Sequence, residues 1–359
     1  MNPFVGQIPY RMFRAWGWPK VLPLNYTLSV TTRCNYRCAT CRVYQQNRPE
    51  MTVQEYRRVF RSLGRAPYWA TFSGGEPFLR EDLPQIVDDF CRLCRPRLVN
   101  LPTNGSLPER VAETARRLAR SHPGTDFMVN VSIDGVEGEQ DRIRGHQGAW
   151  QNAVSTVDLL KRERPGNLLV GIGTVISKEN LRQFSRIRTR LAELGADSLV
   201  AEVAEVRVEL DNQGLDIAPS PEEYKQAADL LTKQMESDKK GGWAGIVQSF
   251  RRQYYDYVYK VLQGQGRLPC YAGFASVQIM PDGEVWGCCI RGDIMGRLSD
   301  HGHDFPKLWR SPQADKVRQS IKDRRCGCPL ANTAYTNMAL SLGQSLKVLA
   351  NLWGMGGKR

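Results

Sequence analysis

Apolar and polar positions along this chain follow two alternating rhythms. Apolar, β-branched residues over 25–32 predict a strand, and similar runs recur near 68–72, 97–101, 127–133, 168–175 and 198–206. Between them, apolar positions repeat at helical spacing near 83–94, 107–121, 149–162 and 179–194. A further helix starts at about Thr52, where Thr52 and Glu55 form a capping-box pattern. Strands alternating with helices argue for an α/β fold whose parallel sheet is rolled into a barrel or part of one, a partial (β/α)6 arrangement of the TIM type. Chemistry in such a fold sits at the C-terminal ends of the strands. Gly74-Gly75-Glu76-Pro77, Thr103-Asn104-Gly105 and Asp134-Gly135 each follow a predicted strand directly, so all fall on that rim.

After the barrel pattern, Ser220-Pro221-Glu222-Glu223 reads as a helix start, with Ser as the cap and Pro at the first helical position. A helix is predicted over 243–264 and a β-hairpin over 275–289, turning at Pro281-Asp282-Gly283. The chain divides into a basic and aromatic segment (1–23), the barrel (24–220), a helical connector (221–267), a hairpin-and-helix extension (268–330) and an amphipathic C-terminal helix (331–359).

With 359 residues the chain can bury a large core. A net charge of +13 favours an anionic partner: nucleic acid, a phosphorylated metabolite, a lipid surface or an acidic electron donor. The arginines are spread through helical stretches rather than interleaved with aromatics, which argues against nucleic acid. Ten cysteines without a signal-peptide pattern argue for a reducing cytoplasm rather than a disulfide framework. No apolar stretch reaches the roughly 18 to 20 residues of a membrane span.

The cysteines carry the chemistry. Cys34, Cys38 and Cys41 stand in Thr-Thr-Arg-Cys-Asn-Tyr-Arg-Cys-Ala-Thr-Cys, at the end of the first predicted strand. Three thiolates at this spacing can hold three corners of an iron-sulfur cube and leave one iron open to a small molecule. Zinc is the plainer alternative for three thiols alone.

Taken with Gly74 to Pro77 one strand later and the Asp134 region, the triad resembles the radical S-adenosylmethionine (radical SAM) superfamily, over residues 24–206. The resemblance implies a 4Fe-4S cluster whose open iron is chelated by SAM, cleavage of SAM to a 5'-deoxyadenosyl radical, and abstraction of a hydrogen atom from substrate. It implies that Gly74 and Gly75 let the backbone approach the methionine end, with Pro77 closing the motif, and that Glu76 accepts from the SAM ammonium. Asn104, Ser132 and Asp134 would serve the ribose and carboxylate region, Arg144 would pair with that carboxylate, and Thr174 and Val175 would flank the adenine. Two positions depart from the family pattern: Thr40 replaces an aromatic before the third cysteine, and Gln140 stands where relatives often carry His.

A second group, Cys270, Cys288, Cys326 and Cys328, resembles the short "twitch" extension, a relative of the longer SPASM extension, and implies one auxiliary 4Fe-4S cluster. Four cysteines would also hold zinc. Neighbouring strand residues face opposite ways, so only one of Cys288 and Cys289 is expected to face the cube; the spacing from Gly283 favours Cys288. Cys91 and Cys94 read as helix packing. Phe4, Tyr10, Phe13, Trp16 and Trp18 with Arg11, Arg14 and Lys20, and Leu342, Leu346, Leu349 and Trp353, suit either folding back on the barrel or a peripheral contact with an anionic membrane.

The substrate expected from the sequence is a small, anionic or glycosylated metabolite or a lipid, undergoing dehydrogenation, epimerisation or related C–H chemistry. Peptide maturation is the alternative, set second because the first strand begins too early to leave room for a peptide-recognition domain. An iron-sulfur scaffold or electron-transfer protein is the non-catalytic alternative. The expected reductant is an acidic flavodoxin or ferredoxin.

Overall fold

The computed structural model describes residues 5–237, 242–324, 326–341 and 343–344. Helix α1 (Ile8–Trp16) precedes β1 (Asn25–Thr31), whose alternation sorts its side chains by face. Tyr26, Leu28 and Val30 enter the apolar core, whereas Asn25, Thr27 and Ser29 point to a polar, concave side. The strands β2 (Trp69–Gly74), β3 (Leu98–Thr103), β4 (Asp126–Ser132), β5 (Leu168–Ile176) and β6 (Ser198–Val203) add to β1 in sequence order, all parallel.

The crossovers carry α2 (Val53–Leu63), α3 (Leu83–Cys94), α4 (Pro108–Ser121), α5 (Gly138–Arg144), α6 (Ala149–Lys161) and α7 (Phe184–Glu193). Their apolar faces cover the outer side of the sheet, giving the partial (β/α)6 barrel predicted from the sequence. The capping box of Thr52 and Glu55 is formed at the start of α2. The short helix α5 is the one crossover element that the periodicity did not indicate; seven residues are too few to show it.

The concave side is polar by design of the alternation. Asn130 donates to Asn100 at 2.7 Å, and Asn100 donates to Thr71 at 3.5 Å, a ladder running across three strands. Gly171 is obliged by this ladder, because a Cβ there would land 2.0 Å from Asn130 Oδ1.

Helices α8 (Pro221–Ser237) and α9 (Gly242–Leu262) follow the barrel, and Ser220 caps α8 through the Glu223 N–H. Tyr224, Leu231, Tyr254 and Val258 form a second core with Ala201 and Val203 of β6. The predicted hairpin appears as β7 (Ser276–Ile279) and β8 (Glu284–Trp286), shorter than the expected 275–289. It is not a separate appendage: β7 pairs in parallel with β1, so the extension continues the barrel sheet. A third strand, β9 (Ile294–Arg297), completes the nine-stranded sheet; four residues containing Gly296 gave no alternation to read. Helices α10 (Phe305–Trp309), α11 (Pro312–Asp323) and α12 (Ala331–Leu340) close the extension.

Helix α1 folds back on this extension. Arg14 Nε donates to the Cys270 carbonyl and Arg11 Nε to the Leu340 carbonyl, both at 2.8 Å, while Trp16 and Trp18 stay exposed. Leu342, Leu346, Leu349 and Trp353 lie outside the described residues. Among those described, no helix is long and apolar enough to cross a membrane.

Candidate active site

The loop of Cys34, Cys38 and Cys41 leaves the C-terminal end of β1 and is fixed from three sides. The Arg37 and Ala39 N–H groups donate to the Arg144 and Ile143 carbonyls at the end of α5 (3.1 and 2.9 Å). A Cβ at Gly145 would come within 2.2 Å of the Arg37 carbonyl oxygen, so only glycine lets α5 and the loop approach so closely. From the β3 side, Asn104 Nδ2 donates to Asn35 Oδ1 at 2.9 Å. From the far side, Asn212 Nδ2 donates to the Thr40 carbonyl at 2.9 Å.

The Tyr36 and Val43 N–H groups bond Cys34 and Cys41, and two side-chain donors also reach the sulfurs. Asn104 Nδ2 lies 3.9 Å from Cys34 Sγ, and Arg144 Nη1 lies 3.9 Å from Cys38 Sγ. The three thiols are half-buried, and burial pushes Cys34 up and Cys41 up to about 12. Without a metal Cys34 and Cys41 are therefore protonated, and a bound metal would displace those protons. Half-buried sulfurs within mutual electrostatic reach, with amide and guanidinium donors aimed at them, fit a thiolate-held iron-sulfur cluster. Among the described residues no three Cys, His, Asp or Glu groups converge on a single-ion position.

The glycine motif serves the loop more directly than the sequence suggested. A Cβ at Gly74 would fall 2.1 Å from the Thr31 carbonyl oxygen, and one at Gly75 would fall 2.1 Å from that of Arg33. The absent side chains make room for the cysteine loop's own backbone. The Gly75 and Glu76 N–H groups then donate to those same carbonyls at 2.8 and 2.9 Å.

Pro77 opens a buried 3-10 turn, and Glu76 is buried beneath the rim. Its carboxylate accepts from the Asn104 N–H (2.6 Å), Thr103 Oγ1 (2.9 Å) and the Phe78 N–H (3.1 Å). Burial pushes Glu76 up to about 7 despite these bonds.

Asp134 faces Arg144 rather than open space: Arg144 Nη2 lies 2.8 Å from Asp134 Oδ2, and the Val175 N–H donates to Asp134 Oδ1 at 2.7 Å. Burial opposes the charge on Arg144, but Asp134 and Cys38 outweigh it and hold the guanidinium protonated; its Nε has no partner among the described residues. Thr174 Oγ1 is turned outward to the Ile133 carbonyl at 2.7 Å. The concave positions at that strand end are Gly173 and Val175, and a Cβ at Gly173 would meet nothing within 4 Å. Gln140 explains its own departure from the family pattern. Its Oε1 accepts from the Asp134 and Gly135 N–H groups, and its Nε2 donates to the Ser132 carbonyl (2.8, 3.1 and 3.1 Å), shaping the turn after β4.

Cys270, Cys288, Cys326 and Cys328 form the second set: Cys270 feels the charge of Cys288 and Cys326, and Cys328 that of Cys270. Burial pushes Cys270 up to about 11. Cys288 and Cys289 lie beyond the end of β8, in a turn, so strand alternation does not sort them as expected. Cys288 packs on the main core near Cys270, whereas Cys289 faces Glu205, Arg207 and Glu209 and is also within electrostatic reach of Cys328. Cys91 and Cys94 are buried in the core on α3, as read from the helical spacing.

No motif announced the segment at 204–212, yet it joins the two cysteine sites. Toward the first, Asn212 Nδ2 bonds both the Thr40 and the Glu205 carbonyls, and the Arg42 N–H donates to the Leu210 carbonyl at 2.9 Å. Toward the second, the Val208 and Glu209 N–H groups donate to the Ile290 and Cys289 carbonyls (3.0 and 3.3 Å). Glu209 Oε1 also accepts from Gln278 Nε2, which reaches Ser29 on β1.

Comparison with known proteins finds a match for the barrel and for the extension. The Radical SAM superfamily profile matches residues 28–191, and the SPASM iron-sulfur cluster-binding domain profile matches residues 270–329. The antilisterial bacteriocin subtilosin biosynthesis protein AlbA of Bacillus subtilis is 23% identical over 310 residues, covering 84% of this chain but only 63% of AlbA. The PqqA peptide cyclase of Bradyrhizobium diazoefficiens is 26% identical over 304 residues, covering 82% of this chain and 74% of the cyclase. Among solved structures, Streptococcus suis SuiB bound to its precursor peptide SuiA superposes with a TM-score of 0.60 at 13% identity, covering 90% of this chain and 73% of SuiB. The chain belongs to the radical SAM superfamily and carries a C-terminal auxiliary-cluster extension, so its cofactors are SAM and two 4Fe-4S clusters.

Proposed function

We propose that this enzyme modifies a peptide. The observation that carries this reading is that the similarity to the PqqA peptide cyclase spans barrel and extension together. The fold likeness to SuiB, a protein solved with its precursor peptide, supports it. This reverses the order of the two substrate classes weighed from the sequence, where the early first strand had set peptides second. That argument concerned where a recognition domain would fit, not what the cavity accepts.

In this reading Cys34, Cys38 and Cys41 hold the SAM-binding cluster, and Cys270, Cys288, Cys326 and Cys328 hold the auxiliary one. SAM at its cluster supplies the means to take a hydrogen atom from substrate, and the chain's residues position and shield it. Glu76 would accept from the SAM amino group, whose positive charge would favour the ionised carboxylate. Asp134 orients Arg144, whose unpartnered Nε is available to the SAM carboxylate. Gly173 and Val175 leave space for the adenine at the end of β5, and Asn104 and Ser132 border the ribose. Exposed Arg33 and Arg37 beside the first cysteine site suit an acidic one-electron donor of the flavodoxin or ferredoxin type.

The test of substrate class is anaerobic turnover of the reconstituted enzyme with short peptides encoded beside its gene. A mass change in one such peptide, coupled to 5'-deoxyadenosine formation, is expected. Turnover of a neighbouring pathway's small metabolite with no peptide changed would reverse the reading.

The ligand assignment of the second cluster has its own test. Cys326→Ala is expected to halve the iron content and leave the SAM-binding cluster's spectrum in place, whereas Cys289→Ala is expected to retain all the iron. Iron analysis and electron paramagnetic resonance distinguish the two, and full iron in Cys326→Ala would remove that residue from the ligand set.

A further inference from the structure

Between the two cysteine sites, the end of β6 and the segment after it bring together Glu202, Glu205, Arg207 and Glu209. Arg207 lies within electrostatic reach of Cys41 on one side and Cys289 on the other, and Glu205 within reach of Cys289 and Cys328. Glu209 is fully engaged: Arg207 Nη1 donates to its Oε2 at 3.4 Å, and Gln278 Nε2 donates to its Oε1 at 2.7 Å. Glu205 is not. Its Oε2 is buried and has no hydrogen-bond partner among the described residues.

Two more polar groups here are in the same condition, Arg207 Nε and the Tyr335 hydroxyl. Tyr335 lies within electrostatic reach of Glu202, which extends from the concave face of β6 opposite Val175. Once Arg207 and Glu209 have paired, Glu202 and Glu205 remain with only the more distant field of Arg207, and burial raises both, Glu205 to about 7, so neither charge is fully met in a protein whose overall charge is +13. A carboxylate oxygen buried without a donor is costly to keep charged. A cation entering between the sites would remove that cost, and an ammonium or guanidinium has enough N–H donors to serve both carboxylates.

We propose that Glu205, with Glu202 beside it, is a subsite for a cationic group of the substrate, an ammonium or a guanidinium, that enters between the two cysteine sites. The proposal rests on the peptide reading only for the carrier of that group: a lysine or arginine side chain, or a terminal amine. The subsite orients the substrate, and the pairing of Arg207 with Glu209 offsets the charge that would otherwise repel it.

Titration calorimetry on the anaerobically reconstituted holoenzyme tests this, with acetyl-Gly-X-Gly-amide peptides in which X is Lys, Arg, Gln or norleucine, and with butylamine and butylguanidine as free cations. The Lys or Arg peptide is expected to bind about tenfold more tightly than the Gln and norleucine peptides. Glu205→Gln is expected to erase that preference while leaving affinity for the norleucine peptide and the resonance spectra of both clusters unchanged. Glu202→Gln is expected to reduce the preference in part.

Peptide binding that ignores the charge of X would overturn the subsite and leave the peptide reading standing. Free cations that bind through Glu205 as well as the peptides do would leave the subsite standing and count against the peptide reading. Absence of binding by every cationic probe, or a preference that survives Glu205→Gln, overturns the subsite.

Discussion

Cys38→Ala is expected to reduce 5'-deoxyadenosine formation below detection and to remove half of the iron. Cys38 is the middle thiol of its loop, and its sulfur is the one met by Arg144, which Asp134 holds in place. Removing it takes away one of three protein ligands, and a cluster already lacking a fourth is not retained on two. It also takes from the Arg144 guanidinium, buried and held protonated, the one sulfur that it meets directly. The second cysteine set stands on different elements, the segment between α9 and β7, the turn after β8 and the segment between α11 and α12, so its iron is expected to stay. Cys91→Ala is the control. That thiol is also buried, but in the apolar core on α3, so its loss is expected to cost about 1 kcal/mol of stability and no iron. Iron analysis, resonance spectra and product chromatography read all three effects. Undiminished SAM cleavage in Cys38→Ala would remove the loop from the chemistry.

What the sequence could and could not disclose follows from the range of the interactions involved. The apolar, β-branched run that forms β1 and the capping box at Thr52 are local signals, and both appear as read. The cysteine triad and the glycine motif were legible as patterns, but the reason for the glycines was not. Their Cβ positions are occupied by Thr31 and Arg33, more than forty residues earlier, and only the parallel pairing of β1 with β2 brings those carbonyls alongside. The segment at 204–212 was opaque for the same reason. Asn212 looks like any loop asparagine until the fold places Thr40 and Glu205 on either side of its amide. Cys289 was judged by a strand rule, yet the chain leaves β8 at Trp286, two residues before Cys288, and the turn rather than the pleat sets where each thiol faces. The pairing of β7 with β1 links residues some 250 positions apart and has no signature in either strand.

The same contact makes Gly75→Ala a severe substitution. The backbone at Gly75 is not in the left-handed region, so alanine suits its torsion angles and the effect is steric alone. The added methyl would sit 2.1 Å from the Arg33 carbonyl oxygen, 2.6 Å from its carbon and 2.9 Å from the Thr32 oxygen. All three are backbone atoms, so no side chain can swing away. Relief requires the end of β2 to part from the start of the cysteine loop, breaking the Gly75-to-Thr31 and Glu76-to-Arg33 hydrogen bonds. Overpacking that moves backbone costs up to about 3 kcal/mol, and here it displaces both the triad and Glu76. The expected result is a lowered unfolding midpoint together with loss of the SAM-binding cluster, while the auxiliary cluster persists. Gly166→Ala, where a Cβ meets nothing within 4 Å, is expected to change neither. If Gly75→Ala assembled both clusters at the wild-type midpoint, the close approach of the glycine motif to the cysteine loop would be wrong, and the glycines would instead have to be explained by the cofactor's own demand for space.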